Sequence, residues 1–580
     1  MPRSFINMSQ KQSQWILAEI PEVPPDVNSE LPEILVRMML QRGVDVKEMD
    51  TFLHPRLMNL KDPFLLPDME AAVTRILHAV DTGEEVCVYG DYDVDGITSV
   101  TLMSAILSAY DIPVRSFIPR RGTEGYGLND AALARCMSEG AKPSLLVTVD
   151  CGTASLSEIA ALKEDSIDVI VVDHHELPPA GKPDCIAVVN PKCAEAGDGT
   201  EDNFEYLCAA GVVFKLAHAL LKKRPLTDFD LKDYLDLVAM ATVSDIVPLV
   251  NENRLLVRHG LKHMENTRNV GLKALMNVAQ VNGPMTSADV GFRIGPRINA
   301  AGRMDHAEDA LATLTTNDPA EAESLANLLD SHNRDRQGEE MRIHKDALHR
   351  LETECDSADP VIVLGSRDWH PGVVGIVASR MMRRFHKPAF IIAIDDQGLG
   401  KGSGRSIGGV SLMDAINANR DLLVAGGGHA MAAGISVAED NIEPFRKAFA
   451  NYVEENVSED DRLPRIHIDA DITFPELSLE FLKSYELLQP FGSANPEPLF
   501  MSREVYLTEP PRELKNHHLK LSMKQNECWR DAMFFGAGQR ELPDPEAAWD
   551  IVFTINRNFF RGRTSLQIVI QDVRAHRKDS

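Results

Sequence analysis

The sequence predicts an α/β protein of several domains that ends in a small β-barrel, and three observations support this fold class. Between about residues 66 and 250, short apolar runs alternate with amphipathic stretches, the pattern of a parallel sheet covered by helices. A second, shorter α/β pattern begins at PVIVLG (360–365). After residue 460 the pattern changes to short β-rich runs. A chain of 580 residues is long enough for roughly two to four such domains.

The first elements follow from local patterns. Residues 1–65 are predicted to form a helical segment, because LPEILVRMMLQRG has apolar residues at helical spacing. In the first α/β segment, residues 66–315, the predicted strands are EVCVY, SLLVTV and DVIVVD, separated by helical or loop stretches. Ligands in such folds bind at the carboxyl ends of the strands. We therefore expect a site at that edge of the sheet.

The second half of the chain is predicted to contain a linker helix, a smaller α/β domain and a barrel. Residues 316–355 are rich in Ala, Glu and Arg and lack proline after Pro319, which predicts one long polar helix between domains. The smaller α/β domain spans residues 356–452. Residues 460–580 contain five or more short strands with a basic end. Among small barrels, the OB-fold is the one most used for single-stranded nucleic acid.

The composition favours a cytoplasmic protein without a membrane segment. The sequence has no apolar core of a secretion signal and no run of 18 apolar residues. Its eight cysteines form no C-x-x-C pair, which argues against a structural zinc site and against a disulfide framework. We therefore expect reduced, mostly buried thiols, a cytoplasmic location and no membrane partner.

The formal net charge of −27 is unusual for a protein that coats nucleic acid. An acidic exterior is compatible with DNA binding when the positive charges are gathered in one groove, because field focusing is local. For any one basic cluster, ordinary solvated surface charge is an equally good explanation. The clusters are Arg120 with Arg121; Arg293, Arg297 and Arg303; Arg380–Lys387; and the tail residues Arg557, Arg561, Arg563, Arg574, Arg577 and Lys578.

Acidic residues and histidines follow the predicted strands of the first α/β segment. A single aspartate at a strand end is more often a helix cap or a turn residue, but caps do not explain the whole set. The set consists of Asp91, Asp93 and Asp95 after EVCVY; Asp150 after SLLVTV; Asp173, His174 and His175 after VIVV; and Asp245 after the apolar run of ATVSDIVPL, which predicts a fourth strand.

Carboxylates at this density repel one another unless cations lie between them. Aspartate and histidine ligands without thiolate suit Mn²⁺ or Mg²⁺ better than structural zinc. Two such ions about 3.5–4 Å apart can activate water and stabilise the leaving oxygen of a phosphoester. The residues therefore predict a metal-dependent phosphodiesterase with two divalent cations.

The motifs GDYDVDG and VVDHHE resemble those of the DHH phosphoesterase superfamily. The resemblance extends through FIPRRGTEGYGLN, TVDCGTAS, VSDIVPL, GFRIGPRINAAGRM and GGGHAMAAG, in that order. Within this superfamily the chain is similar to the bacterial branch that digests single-stranded DNA in the 5′→3′ direction during DNA repair and recombination. The resemblance implies a DHH domain at 66–315, the associated DHHA1 domain at 356–452, an OB-fold at 460–580, and two-metal hydrolysis with Mn²⁺ or Mg²⁺ that releases 5′-mononucleotides.

The resemblance also implies roles for the acidic residues and histidines. The family's metal ligands fall on Asp93, Asp95, Asp150, His174 and Asp245, and Asp91 and His175 lie directly beside them. We expect Asp91 to bind metal with them, and we expect Asp93, Asp95, His174, His175 and Asp245 to act in catalysis, with His175 orienting the phosphate or a ligand.

One position departs from the family pattern. Relatives often place a histidine four residues before the second motif aspartate, and this chain has Tyr89. Either one metal has a poorer ligand set, or Asp91 or water completes it.

Arginines and a glycine-rich segment are the candidate substrate contacts, because a guanidinium can grip two phosphate oxygens and a bare backbone can approach phosphate closely. The resemblance places Arg120 and Arg297 near the substrate, with Arg303 as a further candidate. It assigns recognition of the 5′ end to the region of Ser403 and Arg405. The remaining candidates are Gly427, Gly428 and His429, in a predicted glycine-rich loop.

The β-rich end contains aromatic residues among basic ones, and an exposed ring can stack an unpaired base for about 1–3 kcal/mol. We expect most rings to lie in the core and one or two to be stacking platforms. The family's setting implies single-stranded DNA as substrate, and single-strand-binding protein and a RecQ-type helicase as partners. The rings are Phe491, Phe500, Tyr506, Phe534, Phe535, Phe559 and Phe560.

Two other functions are compatible with parts of this pattern. A phosphodiesterase for very short oligonucleotides or cyclic dinucleotides would use the same metal ligands, but the chain length and the predicted barrel argue against it. A non-catalytic DNA-binding scaffold related to the DHH enzymes would have lost ligand aspartates, and this chain keeps them.

Overall fold

The computed structural model describes residues 13–19, 21–24, 27, 31–122, 124–194, 204–281, 283–304, 306–356, 358–538, 540–560 and 563–577. The chain forms two compact units. The first consists mainly of Asp62–Asp245 and Gly260–Pro464. The second combines Trp15–Lys61 and Ile246–His259 with the chain from Arg465 onward. In the part of the chain described here, no helix is both long and apolar enough to cross a membrane.

The N-terminal segment is short and only partly helical. It contains β1 (Gln14–Leu17), α1 (Glu33–Gln41) and α2 (Met49–Leu53).

The first α/β segment contains the predicted parallel sheet. Its strands are β2 (Val86–Gly90), β3 (Val114–Phe117), β4 (Leu145–Val149), β5 (Asp168–Val172) and β6 (Ala187–Val189), in the order β3-β2-β4-β5-β6. The chain therefore adds β3 on one side of β2 and β4 on the other. The crevice between the carboxyl ends of β2 and β4 is the topological switch point, where ligands bind in open α/β sheets.

Helices surround this sheet and continue after it. Those of the sheet segment are α3 (Met69–Thr82), α4 (Val94–Ala109), α5 (Asp130–Ser138), α6 (Leu156–Glu164), α7 (Ala209–Lys223) and α8 (Leu235–Ser244). Those that follow are α9 (Asn251–Met264), α10 (Val270–Val278), α11 (Ser287–Asp289), α12 (Gly295–Arg303), α13 (Ala307–Thr315) and α14 (Pro319–Glu354).

The predicted strand before Asp245 is wrong, because Leu235–Ser244 form α8. Every residue from Leu235 to Thr242 is buried, so this helix has no polar face. A largely apolar, fully buried run of this length does not distinguish a buried helix from a buried strand. Asp245 therefore follows a helix, whereas Asp91, Asp150 and Asp173 follow strands as predicted.

The predicted long polar helix is α14, which has 36 residues. It is not a bare spacer, since one face is buried along its whole length. The stripe begins at Ala322, continues through Asn333, Arg336 and Glu340, and ends at Leu351. The helix packs against α10, α12 and α13, and also against the next α/β segment.

The second α/β segment has a five-stranded mixed sheet. Its strands are β7 (Ile362–Ser366), β8 (Ala389–Ile394), β9 (Leu399–Arg405), β10 (Ala425–Gly428) and β11 (Ala432–Ala438), in the order β10-β11-β9-β8-β7. Its helices are α15 (Val374–Phe385), α16 (Leu412–Ala418) and α17 (Ile442–Asn456). The glycine-rich segment predicted as a loop is strand β10 of the hairpin β10–β11, because it pairs in register with β11.

The C-terminal segment is a closed five-stranded barrel, as an OB-fold requires. Strands β14, β18, β19, β17 and β16 pair in that order, and β16 pairs back with β14. The elements are β12 (Arg465–Ile468), β13 (Ala470–Asp471), α18 (Leu479–Glu486), β14 (Phe500–Leu507), β15 (Arg512–Glu513), β16 (Leu519–Gln525), β17 (Cys528–Phe534), β18 (Trp549–Phe560) and β19 (Arg563–Ala575). The predicted fold class is thus confirmed.

Candidate metal centre

The turn between β2 and α4, together with the first turn of α4, carries the first three aspartates. Asp93 caps α4, and its Oδ1 accepts hydrogen bonds from the backbone N–H groups of Asp95 (2.9 Å) and Gly96 (3.1 Å). Gly96 lies so close to the preceding turn that a Cβ there would be 2.4 Å from the carbonyl oxygen of Asp91. The cap and this close approach fix the turn that holds all three carboxylates.

Asp95 is buried in the first turn of α4 and faces the N-terminus of α7. Its Oδ2 accepts a hydrogen bond from the backbone N–H of Ala209 (2.7 Å), and its Oδ1 accepts one from Ala210 (2.8 Å). A helix N-terminus favours a negative charge at this position. These contacts orient the carboxylate before any ligand is bound.

Asp150 follows β4 in the left-handed backbone region, with φ of 59°. Aspartate tolerates this conformation better than most residues. The backbone N–H of Asp150 donates to the carbonyl oxygen of Val172 at the end of β5 (3.1 Å). The strand end and the turn thus place a buried carboxylate between the aspartates of β2 and the histidines of β5.

Asp173 holds the histidine pair after β5. Its Oδ1 accepts hydrogen bonds from the backbone N–H groups of His174 (2.7 Å) and His175 (3.2 Å), and its Oδ2 accepts one from Thr153 (3.0 Å). Burial alone would raise the pKa of Asp173, but the hydrogen bond and charge of His175 outweigh it and keep that pKa well below its usual range. The sequence placed Asp173 in the set at the strand ends but assigned it no role in the site.

The imidazole of His174 lies among three carboxylates. Its Nε2 is 3.4 Å from Oδ1 of Asp150, 3.6 Å from Oδ2 of Asp245 and 3.8 Å from Oδ2 of Asp95. Among the described residues this nitrogen has no hydrogen-bond partner, although it is buried. Burial and the neighbouring His175 lower the pKa of His174 to about 4. A neutral imidazole has a lone pair that can bind a metal.

The carboxyl groups of this cluster have raised pKa values. Burial and then repulsion from Asp93 raise the pKa of Asp95 to about 7. Burial, followed by Asp95 and Asp93, raises the pKa of Asp245 to about 8. The pKa values of Asp91 and Asp150 lie well above the usual range, again through burial first and neighbouring carboxylates second. Such a cluster favours the binding of cations.

The donors form two groups that can each hold one ion, with ligand atoms within 4.8 Å of one another. Asp150 can serve both groups, because it also combines with His174 and His175. Oδ1 of Asp91 is buried without a hydrogen-bond partner in the described part of the chain. Oxygen and imidazole donors without thiolate fit two hard divalent cations. The groups are Asp95, His174 and Asp245, and Asp91, Asp93 and Asp150.

Tyr89, the departure from the family pattern, does not belong to either group. Its side chain is buried and engaged elsewhere, since the hydroxyl donates to the carbonyl oxygen of Gly127 (2.9 Å) and the ring stacks on Phe117. The second group is formed without it, by Asp91 together with Asp93 and Asp150. Of the alternatives at this position, the geometry favours Asp91 as the additional ligand.

His175 is held through both ring nitrogens. Its Nδ1 is 2.7 Å from Oδ1 of Asp173, and its Nε2 is 2.9 Å from the hydroxyl of Tyr126. Burial lowers the pKa of His175, but Asp173 outweighs this effect and raises that pKa to about 9. The ring is therefore positively charged at neutral pH. Tyr126 was not predicted, and only its place in the motif FIPRRGTEGYGLN pointed to it.

The predicted arginines differ in their surroundings. Arg303 is a half-buried cation without a carboxylate partner among the described residues, and its Nη1 donates to the carbonyl oxygen of Gly372 (3.2 Å). Burial and the nearby Arg121 and Arg336 lower the pKa of Arg303 to about 10, so it stays charged at neutral pH. The positive charge of Arg303 opposes the rise that burial causes in the pKa of Tyr92, which lies in the same turn as Asp93.

Arg120 and Arg297 have internal partners instead. Arg120 pairs with Glu308 (3.1 Å), and Arg297 pairs with Asp330 (2.8 Å). Their neighbour Arg121 lies above the ring of Tyr92, 5.2 Å from its centroid, and lowers the pKa of Asp91 against the effect of burial. Arg121 is thus a residue near the centre that we did not predict as a site residue.

Ser403 and Arg405 are brought together at the end of β9. Nη1 of Arg405 donates to Oγ of Ser403 (3.1 Å) and to the carbonyl oxygen of Gly404 (2.8 Å). Burial lowers the pKa of Arg405, which has no carboxylate partner among the described residues. A Cβ at Gly375, in the first turn of α15, would lie 2.9 Å from Oγ of Ser403. A hydroxyl, a guanidinium and a helix N-terminus therefore meet here, which suits an anion.

The hairpin β10–β11 faces the loop after the metal centre. Lys192, and to a smaller extent His429, lowers the pKa of Glu176, the residue directly after His175. Gly427 has open space around it, since a Cβ there would meet no heavy atom within 4 Å, and Gly428 has φ of 136°. His429 is exposed beside them. The three predicted residues form an open surface, and His429 is near enough to Glu176 to affect its pKa.

The barrel exposes more rings than predicted. Phe500 and Phe534 are buried and Phe491 packs against the core, but Tyr506, Phe535 and Phe559 are exposed. The expectation that most rings are core is therefore wrong for the rings described here. Trp529, which we did not predict, is also exposed and lines a groove with Arg530. The side chains of Phe560 and Arg563, and residues Arg561 and Lys578, lie outside the described residues.

Comparison with known proteins agrees with this fold and donor set. Three family models match the chain: DHH family, N-terminal domain, at residues 85–242; DHHA1 domain at 358–455; and RecJ OB domain at 468–572. The sheet, the donors at its carboxyl edge and these matches define a DHH-type metal-dependent phosphoesterase.

Relatives that match nearly the whole chain identify the family within this class more closely. The proteins named single-stranded-DNA-specific exonuclease RecJ from Bacillus subtilis (strain 168) and Dickeya dadantii (strain 3937) are 34% and 33% identical, over 93% and 95% of this chain. The chain covers 67% of the former and 97% of the latter. It belongs to the RecJ family.

Solved structures of RecJ proteins show the same fold. RecJ from Thermus thermophilus in complex with Mn²⁺ matches with a TM-score of 0.82 and 30% identity, over 98% of this chain and 80% of that one. The complex with Mg²⁺ from the same organism matches with a TM-score of 0.76 and 28% identity, over 98% of this chain and 79% of that one. These relatives are thus known with either cation.

Proposed function

We propose that this protein is a metal-dependent exonuclease that hydrolyses single-stranded DNA from its 5′ end. It would release 5′-mononucleotides in DNA repair and recombination. The observation that carries the proposal is the pair of neighbouring donor groups, in which the unpartnered Nε2 of His174 in one group lies 3.4 Å from Oδ1 of Asp150 in the other. The names of the relatives, single-stranded-DNA-specific exonucleases, support the substrate class.

The chain's own residues prepare the site for a phosphodiester. When bound by the two donor groups, Mn²⁺ or Mg²⁺ ions supply Lewis-acid activation of water and neutralise charge on the phosphate. Asp173 fixes the backbone of the histidine pair, and α7 fixes Asp95. His175 is a cation whose two ring nitrogens are held by Asp173 and Tyr126, so its positive charge can attract a phosphate. Arg303 offers a second positive charge with no carboxylate partner among the described residues.

The end of β9 sets the direction of digestion in this proposal. A terminal phosphate would bind the Oγ of Ser403, the guanidinium of Arg405 and the first turn of α15. Within the described structure the half-buried guanidinium of Arg405 has no carboxylate partner, so a phosphate would be its first counterion. The exposed backbone of Gly427 and Gly428, with His429, would then guide the strand toward the histidine pair.

We propose that the protein acts in the cytoplasm and that its binding partner there is single-stranded DNA. Single-strand-binding protein and a RecQ-type helicase are proposed from the family's setting alone. Copurification of either protein with the tagged full chain tests these two partners.

Digestion of an end-labelled single strand tests the hydrolysis. We expect mononucleotides from single-stranded but not duplex DNA with Mn²⁺ or Mg²⁺, and none with chelator. Asp150→Asn keeps the size and the backbone tolerance of the position but removes the shared charge, so the rate should fall at least about 10³-fold. Asp165→Asn, at the exposed end of α6, is the matched control. A dinucleotide cleaved faster than the long strand would favour the short-oligonucleotide phosphodiesterase instead.

A comparison of strands that differ only in the 5′-terminal phosphate tests the proposed direction of digestion. We expect a strand with a 5′ phosphate to be digested faster than the same strand with a 5′ hydroxyl, and Arg405→Gln to remove the difference. Arg367→Gln removes an exposed arginine of the same sheet segment and should keep it. Preference for a 3′ end in the unmodified protein would exclude this pocket as the determinant of direction.

A further inference from the structure

A second cluster of metal-binding side chains lies apart from the proposed centre. His306, Asp309 and His332 each place one donor atom within 4.8 Å of the other two. Nε2 of His332 is 3.4 Å from Oδ2 of Asp309. The rings of His306 and His332 stack with centroids 4.6 Å apart at an angle of 11°. None of these residues belongs to the two donor groups around Asp150.

The local structure explains why the three meet. His306 directly precedes α13 and Asp309 lies in its first turn, so their spacing of three residues puts both on one side of the helix start. His332 comes from α14, which packs against α13. Two rigid helices therefore fix the donors, while the side chains remain accessible to an ion from solvent: 14% of His332 and 31% of Asp309 are exposed.

We propose that His306, Asp309 and His332 bind one transition-metal ion of the Zn²⁺ type. Two imidazoles and one carboxylate favour Zn²⁺ over Mn²⁺ and Mg²⁺, which prefer mainly oxygen donors. This donor set thus differs from the carboxylate-rich centre around Asp150. Tetrahedral zinc places its donors about 3.3 Å apart, so the rings of His306 and His332 must turn out of their parallel stack to point one nitrogen each at a shared ion. Water completes the fourth position.

The bound ion would link α13 to α14 close to Arg303 and Arg120, the arginines predicted to contact substrate. Arg303 ends α12, three residues before His306. Glu308, in the same turn as Asp309, pairs with Arg120 (3.1 Å) and Arg135 (3.5 Å). An ion shared by α13 and α14 would therefore stabilise the segment between Arg303 and Glu308. This inference does not depend on the proposed nuclease function.

Counting bound zinc tests the site. After equilibrium dialysis against Zn²⁺, the unmodified protein should hold one more ion per chain than His306→Gln/His332→Gln, whatever the other centre binds. His349→Gln, an exposed histidine of the same helix α14, should match the unmodified protein. Equal counts in the double variant and the unmodified protein would overturn the proposal.

Two further measurements keep the result interpretable. Co²⁺ in place of Zn²⁺ should give visible absorption bands of a tetrahedral His/Asp site, and the double variant should lose them. Far-UV circular dichroism and the Mn²⁺-dependent cleavage rate should be unchanged in that variant, which shows that it is folded. Should the double variant not fold, the single exposed change His306→Gln must still lose the extra ion, and retention of the ion would refute the site.

Discussion

At the scale of single residues, each histidine of the pair has a different neighbour that decides its state. His174 is buried among carboxylates with its Nε2 unpartnered in the described structure, which leaves a donor atom for a cation. His175, the next residue, is charged because Asp173 holds its Nδ1. Adjacent imidazoles can thus serve as a metal ligand and as a phosphate contact within one turn of chain.

Tyr126 should be a positioning residue for His175. Tyr126→Phe removes the hydroxyl 2.9 Å from Nε2 of His175, and a hydrogen bond to a charged group contributes about 1.5–3 kcal/mol. We expect kcat on single-stranded DNA to fall about tenfold or more, while the number of bound Mn²⁺ ions stays the same.

Tyr110→Phe is the control, since this hydroxyl bonds to the carbonyl of Arg224 away from the site. If Tyr126→Phe lost Mn²⁺ binding in parallel with rate, the tyrosine would support the metal ligands rather than His175.

The clustering of the candidate metal ligands could be predicted from sequence, but the residues that support them could not. Asp91, Asp150 and His174 each follow a short apolar strand, and parallel strands bring their carboxyl ends to one edge. The partners of His175 give no such signal. Tyr126 lies 49 residues away in the chain and contacts the ring only through the fold.

At the scale of elements, the junction of β2 and α4 depends on the absence of a side chain. Gly96 packs its Cα against the backbone of Asp91, and the same turn is capped by Asp93. Helix α8 shows where prediction from sequence fails at this scale. Its residues from Leu235 to Thr242 are buried on every face, so periodicity gave no sign of a helix, although the position of Asp245 after an apolar run was still informative.

Two glycine substitutions should have opposite effects. Gly96→Ala forces a Cβ to within 2.4 Å of the carbonyl oxygen of Asp91, and such overpacking costs about 1–3 kcal/mol. We expect lower stability and loss of Mn²⁺ binding. Gly338→Ala, in the exposed middle of α14 with no atom near the new Cβ, should stabilise by about 0.5–1 kcal/mol.

Thermal unfolding and a Mn²⁺ titration of both variants give the comparison. Normal Mn²⁺ affinity in Gly96→Ala would mean that the turn does not control the ligand geometry.

At the scale of the whole chain, the N-terminal segment shares a core with the C-terminal barrel. Leu35, Met38 and Met39 of α1 are buried in the same apolar cluster as Phe500 and Trp549. The sequence predicted helices at the start and a barrel at the end, but the two patterns contain no sign that they pack together. Contacts between segments this far apart in the chain are set by shape and burial, which a local pattern does not encode.

Leu35→Ala should destabilise the barrel unit even though it lies in a distant segment. The side chain is fully buried, and removing it should lower the free energy of unfolding by about 2–5 kcal/mol. Met58→Ala, at a position 83% exposed, should change it little. Denaturant unfolding of the full chain, followed by tryptophan fluorescence, measures both. Equal midpoints for the two variants would contradict a shared core.

The most direct measurement is the anomalous scattering of Mn²⁺ soaked into crystals of the full chain. We expect two peaks about 3.5–4 Å apart, one contacted by Asp95, His174 and Asp245 and the other by Asp91 and Asp93, with Asp150 contacting both. A single peak, or peaks that contact neither His174 nor Asp150, would contradict the proposed two-cation centre.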